Sequence, residues 1–176
     1  MTGKGHTWVS LAFSIATYKM GQQLGIMPIL VSIATIIGGT APDWLEIRRT
    51  NGSTVIKHRT ITHWLPLWLV LFFFSFGLIT KNETLTQMYE FNIHEYILAF
   101  LFGFSIGGLL HLLVDIPNPM GIPILTPTRR FSLKLWKSGK FEVPIVTAFF
   151  IFSLYYIGVL NLNIEKINFL WYKVIK

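Results

Sequence analysis

The chain contains no cysteine, and only 13% of its 176 residues are charged. Without cysteine, disulfide bonds and thiolate metal ligands are both excluded, so nitrogen and oxygen atoms must hold any bound metal. The charged share is about half of that found in typical soluble domains. A cleavable signal peptide is not expected, because only Lys4 precedes the first apolar segment and no small-residue cleavage site stands out after it.

Long uncharged segments dominate the sequence, which is 52% hydrophobic with a mean hydropathy of +0.55. Several of them are long enough to cross, or nearly cross, the hydrocarbon core of a membrane. They cover residues 21–42, 64–80, 96–114 and 143–162, with a shorter segment at 7–18. We predict one domain over residues 1–176: an all-α integral membrane bundle of four to five transmembrane helices, in which residues 136–176 form the last span and a tail.

The charges between these segments alternate in sign along the chain. Residues 43–62 and 115–142 carry clusters of Lys and Arg, whereas residues 81–95 are mainly acidic. The positive-inside rule places the two basic loops in the cytoplasm. The N-terminus follows on the same side whether the first two segments both span or form a hairpin that dips in. The net charge of +7 is then explained by loops that face lipid headgroups, and nucleic acid is not expected as a partner.

Six histidine and aspartate residues lie at or inside the ends of apolar segments, and this topology puts all of them at the cytoplasmic boundary. They are His6, Asp43, His58, His63, His111 and Asp115. Imidazoles and carboxylates are the ligands of zinc-type sites. A histidine alone in an apolar helix, such as His94 on the opposite side, is more often a core residue. A carboxylate at membrane depth, however, needs a cation or a metal.

Three neighbouring features bear on this predicted site. Arg59 is either an ordinary positive-inside charge or a group that binds a phosphoryl oxygen. Glu46 is either a solvated loop charge or an additional metal ligand. The proline-rich residues 117–127 predict a stiff, non-helical segment that borders or covers the site. Glycines at 103, 107 and 108 form a small-residue stripe that would let another helix pack closely.

Four motifs together resemble the YdjM/YbcI family of inner-membrane metal-dependent hydrolases, of which YdjM is LexA-regulated and so linked to the SOS response. The motifs are TGKGH, GGTAPDW, HRTITH and GGLLHLLVDIPNPMGIPILTP, and the resemblance covers residues 3 to about 135. The H-x-x-x-D order is similar to that of zinc-dependent phospholipase C, which implies a phosphoester substrate by analogy. The chain departs from the family at Leu45, where a second acid is usual, at Trp64, where Ser is frequent, and at Asn118, where Thr is frequent.

These features predict a metal-dependent hydrolase in the bacterial inner membrane, with its site facing the cytoplasm. Its substrate would be a phospholipid or a lipid-linked phosphoester, with membrane lipids as its other partners. One to three divalent ions, zinc foremost, would be held by the six residues above. Asp43 and Arg59 are the predicted catalytic residues. The alternative is a non-catalytic membrane protein with a structural or sensing metal, and a metal transporter is the least favoured because the ligands cluster at one face.

Overall fold

A computed structural model describes residues 1–46, 59–80 and 95–160. The described residues are mainly helical, which confirms the predicted all-α class. The helices are α1 (Gly3–Leu24), α2 (Pro28–Gly38), α3 (Ala41–Trp44), α4 (Leu65–Thr80), α5 (Glu95–Asp115) and α6 (Glu142–Tyr156), with a 3-10 turn at Ile61–His63. Two short strands, β1 (Ile122–Pro123) and β2 (Arg130–Phe131), pair antiparallel in the segment between α5 and α6.

Local sequence signals set the ends of α1 and the start of α2. The hydroxyl of Thr2 accepts a hydrogen bond from the backbone N–H of Gly5, which caps the start of α1. The helix stops at Gly25, whose φ of 67° places it in the left-handed region that favours glycine. Pro28 opens α2, where its missing N–H costs no helical hydrogen bond. A short turn at residues 25–27 therefore joins α1 to α2.

Helix α5 is the centre of the bundle, and α2 packs very closely against it. A Cβ atom added at Gly103 or Gly107 would overlap backbone atoms of α2, and one added at Gly38 would overlap the backbone of Phe104. On another side of α5, the ring of Trp68 from α4 lies against Gly108. The predicted small-residue stripe is confirmed, and it holds α2 and α4 near the C-terminal end of α5.

The number of membrane spans remains a prediction. Within the described ranges, α5 is long and apolar enough to cross a membrane, while α2, α4 and α6 are shorter apolar helices. With 11 residues, α2 covers about 16 Å, roughly half of a hydrocarbon core of about 30 Å. The apolar segment at 21–42, which we expected to span or dip in, is thus divided among the last residues of α1, α2 and the short α3.

Candidate metal centre

Residues from separate elements meet near the C-terminal end of α5. His6 comes from α1, Asp43 from α3, His63 from the 3-10 turn, and His111 and Asp115 from α5. The three histidines and Asp115 are fully buried, whereas the side chain of Asp43 is 40% exposed. The predicted convergence of these residues is present in the fold. His58, the remaining predicted ligand, lies outside the described residues.

One group of ligand atoms has the dimensions of a tetrahedral metal site. Nε2 of His63 lies 3.2 Å from Nε2 of His111, and Oδ1 of Asp43 lies 3.4 Å and 3.7 Å from those two nitrogens. Metal–ligand bonds of about 2.1 Å in a tetrahedron separate neighbouring ligands by about 3.4 Å. The three atoms therefore form one face of a coordination tetrahedron of the size that zinc prefers.

The hydrogen bonds behind these histidines determine which ring nitrogen is available. Nδ1 of His111 is 2.9 Å from the carbonyl oxygen of Gly39, which can only accept, so this nitrogen carries the proton. Nδ1 of His63 lies 3.1 Å from the Thr62 hydroxyl and 3.4 Å from a carboxylate oxygen of Glu46. Protonation at both Nδ1 atoms leaves two Nε2 lone pairs facing each other, an arrangement that needs a proton or a cation between them. This donor set fits a divalent metal.

A second ligand group consists of His6, His111 and Asp115. The ring of His6 stacks on that of His111 with centroids 3.6 Å apart, and its Nε2 is 3.4 Å from Oδ1 of Asp115. The same oxygen contacts the amino group of Met1 at 2.5 Å and the side-chain amide of Asn118 at 2.7 Å. Oδ1 of Asp115 already accepts from an amino group and an amide, and Oδ2 is ion-paired with Arg59, so the group around Asp43 is the better fit for an ion.

Arg59 is a buried member of the site and does not project toward a headgroup. Its guanidinium forms an ion pair with Asp115, in which Nη2 lies 2.5 Å from Oδ2, and it donates a hydrogen bond to the carbonyl oxygen of Gly121 at 3.1 Å. Its backbone has a φ of 56°, an unusual value for a residue other than glycine. Nε of Arg59 meets no hydrogen-bond partner among the described residues. The interpretation as an ordinary surface charge is therefore wrong, and one N–H donor remains available.

Glu46 lies behind His63 and is buried, so the interpretation as a solvated loop charge is also wrong. One of its carboxylate oxygens accepts the backbone N–H of Arg59 at 2.9 Å and approaches Nδ1 of His63. This places Glu46 on the side of the imidazole opposite to Nε2. Carboxylates in this position orient metal-binding histidines. Glu46 therefore supports a ligand histidine instead of replacing the acid that is missing at Leu45.

Asp43 is ionised at neutral pH. Burial raises the pKa of its carboxyl group, but a hydrogen bond from His63 and the positive charges of His111, His6 and His63, which these rings carry in their protonated forms, lower it more, to about 2. A carboxylate that is both charged and partly exposed can reach an ion and the surrounding solvent. Asp43 is accordingly the most accessible ligand of the centre.

Sequence reasoning missed several groups that hold the site together. Asn118 bonds Asp115, and its own carbonyl oxygen accepts the hydroxyl of Ser132. The indole N–H of Trp68 donates to the carbonyl oxygen of Thr62 at 2.8 Å, directly before a ligand histidine. The three-residue spacing between Asp115 and Asn118 could have indicated Asn118 as a hydrogen-bond partner of this carboxylate. Backbone carbonyl partners, by contrast, have no sequence signal. The proline-rich segment does border the site, as predicted, through the carbonyl of Gly121.

Comparison with known proteins is consistent with the resemblance carried by the motifs. The family model described as YdjM inner membrane protein matches residues 1–174. The chain belongs to the YdjM family. One relative is the uncharacterized protein YvsG of Bacillus subtilis (strain 168), which is 30% identical over 160 residues, covering 84% of this chain and 88% of YvsG. No solved structure matches significantly. Membership in the YdjM family supports a membrane location, while the hydrolase activity and the likeness to phospholipase C remain predictions.

Proposed function

We propose that this YdjM family member is a membrane-embedded hydrolase that uses a divalent metal, with zinc as the first candidate, to cleave a phosphoester of a lipid. The observation that carries the proposal is the position of three atoms: the Nε2 atoms of His63 and His111 lie 3.2 Å apart, and a carboxylate oxygen of Asp43 lies close to both. Three protein ligands with a further position for water or substrate characterise catalytic zinc sites, whereas structural sites are closed.

The surroundings of this group favour catalysis over a structural role. A divalent ion held here would acidify bound water and polarise a phosphoryl oxygen. Asp43 is the partly exposed ligand, so its carboxylate can accept a hydrogen bond from a water and orient it. The Nε–H of Arg59, which meets no partner within the described part of the chain, can donate to a phosphoryl oxygen, and the guanidinium charge favours the negative charge that develops there. Asp115 holds that guanidinium in place.

A lipid substrate fits the position of the centre in the fold. The ligands sit at the end of α5, the helix with the length and composition of a membrane span. The end of such a helix lies near the level of the headgroups. A phosphoester that is already anchored in the bilayer can reach this level without leaving the membrane, which favours a phospholipid or a lipid-linked phosphate over a soluble ester.

The test combines metal content with turnover on protein purified in detergent without chelators. Elemental analysis should find a stoichiometric divalent metal that is lost in His63→Ala and His111→Ala but kept in Gln22→Ala, a change far from the site. Phosphate-releasing and headgroup-releasing assays on phosphatidic acid, phosphatidylglycerol and a polyprenyl phosphate should detect hydrolysis. Arg59→Lys should keep the metal and lose about 10²–10³-fold in turnover.

The alternative is a structural or sensing metal, and one observation favours it. Position 45 carries leucine instead of the second acid usual in the family, and its side chain is 37% exposed. This alternative predicts stoichiometric metal with no hydrolysis of any of the three lipids, and a lower unfolding temperature after metal removal. That combination would refute the hydrolase proposal, whereas metal-dependent turnover abolished by Asp43→Asn would refute the alternative.

A further inference from the structure

The segment between α5 and α6 has an unusual surface. Between Asp115 and Glu142 the sequence contains no acidic residue, and it carries the cations Arg129, Arg130, Lys134, Lys137 and Lys140. All five cations are exposed. Large apolar side chains are exposed among them, including Leu125 at 83% and Leu135 at 62%. A water-soluble surface rarely combines apolar side chains this exposed with a single sign of charge.

Hydrogen bonds tie the backbone of this segment to the residues that follow α5, while its apolar side chains stay exposed. The N–H groups of Leu133 and Leu135 donate to the carbonyl oxygens of Ile116 and Pro117, at 3.0 Å and 2.9 Å. The hydroxyl of Ser132, directly before Leu133, donates to the backbone carbonyl oxygen of Asn118. The side chains of Phe131, Leu133 and Leu135 are not covered by the rest of the fold and are 48%, 50% and 62% exposed. We call these three residues the apolar ladder.

We propose that residues 125–141 form an interfacial shelf that inserts the apolar ladder among acyl chains and binds anionic phospholipid headgroups through the flanking cations. Two observations select this occupant: the charge of the shelf is entirely positive, and hydrogen bonds from Leu133 and Leu135 attach the shelf to the residues directly after α5. The shelf also borders the metal centre, because Asn118 contacts both Asp115 and Ser132. The proposal is independent of the hydrolase activity, since it concerns only where the segment lies and which lipids it binds.

Insertion of the apolar ladder can be measured directly because the chain has no native cysteine. In nanodiscs, a bimane label on Leu133→Cys should be quenched by lipids that carry a nitroxide on the acyl chain. The matched control is Ser138→Cys, an exposed polar position in the turn that follows the ladder. Strong quenching at position 133 and weak quenching at position 138 is expected. Equal quenching at both positions would overturn the insertion.

Headgroup selection is tested in nanodiscs of phosphatidylglycerol and phosphatidylcholine, by measuring which lipids remain bound to the full chain after purification. A cation near an anionic surface contributes about 1 kcal/mol, or about fivefold in binding. Lys134→Gln with Lys137→Gln should therefore lower the preference for phosphatidylglycerol by up to about 25-fold, and added salt should weaken that of the unmodified chain.

The control for charge removal is Lys4→Gln with Lys19→Gln, which deletes the same number of lysines from α1. An equal loss of preference in the control, or no loss in the shelf variant, would refute selection by the shelf. A second copy of the chain is the competing occupant of the apolar ladder. A dimer that dissociates in Phe131→Ser with Leu133→Ser, with the lipid preference unchanged, would likewise overturn the proposal.

Discussion

Replacing Gly107 by alanine should damage both the helix packing and the metal centre. A Cβ atom at this position would overlap the carbonyl oxygen of Thr35 and the backbone N of Gly39, so α2 must move away from α5. The carbonyl oxygen of Gly39 accepts the Nδ1–H of His111 at 2.9 Å, so the same movement would release a ligand histidine. One methyl group therefore acts on the fold and on the site together.

The magnitude follows from two opposing effects. Overpacking a tight interface costs about 1–3 kcal/mol, while alanine in place of glycine favours the helix by about 1 kcal/mol. Gly77 in α4 is the matched control, because an added Cβ there meets no atom within 4 Å. Gly77→Ala therefore measures the helix propensity alone. The two variants should differ in their free energy of unfolding by about 1–3 kcal/mol.

Thermal unfolding in detergent, with metal affinity as a second measurement, provides the assay. A difference of 1 kcal/mol shifts the midpoint by about 2–4 °C for a chain of this size. Gly107→Ala should melt below Gly77→Ala and bind zinc about 10-fold or more weakly, because loss of a hydrogen bond behind a metal ligand has that effect. Equal midpoints and equal zinc affinities in the two variants would refute the close packing of α2 on α5.

Two further substitutions test the supports of the site. Trp68→Phe removes the hydrogen bond to Thr62, so it should lower the free energy of unfolding by about 1 kcal/mol and weaken metal binding. Thermal melts and zinc titrations measure the two effects. The exposed Trp8→Phe is the control and should change neither quantity; an equal effect in the control would contradict the role of Trp68. Glu142→Ala removes the acceptor that ties α6 to the cap of α1, and solvent screening limits its cost to about 1 kcal/mol or less. It should lower the unfolding midpoint more than Glu95→Ala, which also removes a first-turn acid from a helix, and equal midpoints would count against the tie.

Much of the architecture follows from local patterns. The uncharged segments predict helices because apolar residues without charges favour buried or membrane helices, and Gly25 with Pro28 ends one helix and begins the next. The length of α2 was not predictable in this way. An apolar segment contains no marker of where a short helix stops, and the close contact with α5 at Gly38 involves a helix that lies far along the chain.

The candidate site was likewise predictable from the sequence only in part. Residue types and loop charges were sufficient to predict that five residues meet at one place, and the family motifs contain the same five residues. They are His6, Asp43, His63, His111 and Asp115. The burial of Arg59 was open from sequence, because an arginine in a basic loop has the same local pattern whether it faces lipid headgroups or a buried carboxylate. Its ion pair with Asp115 depends on the arrangement of segments that are far apart along the chain.

Sequence by itself determined the metal chemistry available to this protein: no thiolates, several imidazoles and a few carboxylates at the ends of apolar helices. Only the tertiary structure decided which atoms face one another. The carbonyl oxygen of Gly39 fixes the proton of His111 on Nδ1, and Glu46 supports His63 from behind, so both Nε2 atoms point to a common position. This orientation depends on groups that are distant along the chain and are brought close by packing. A backbone carbonyl is the same in every residue type, so the sequence does not mark which carbonyl will be the partner.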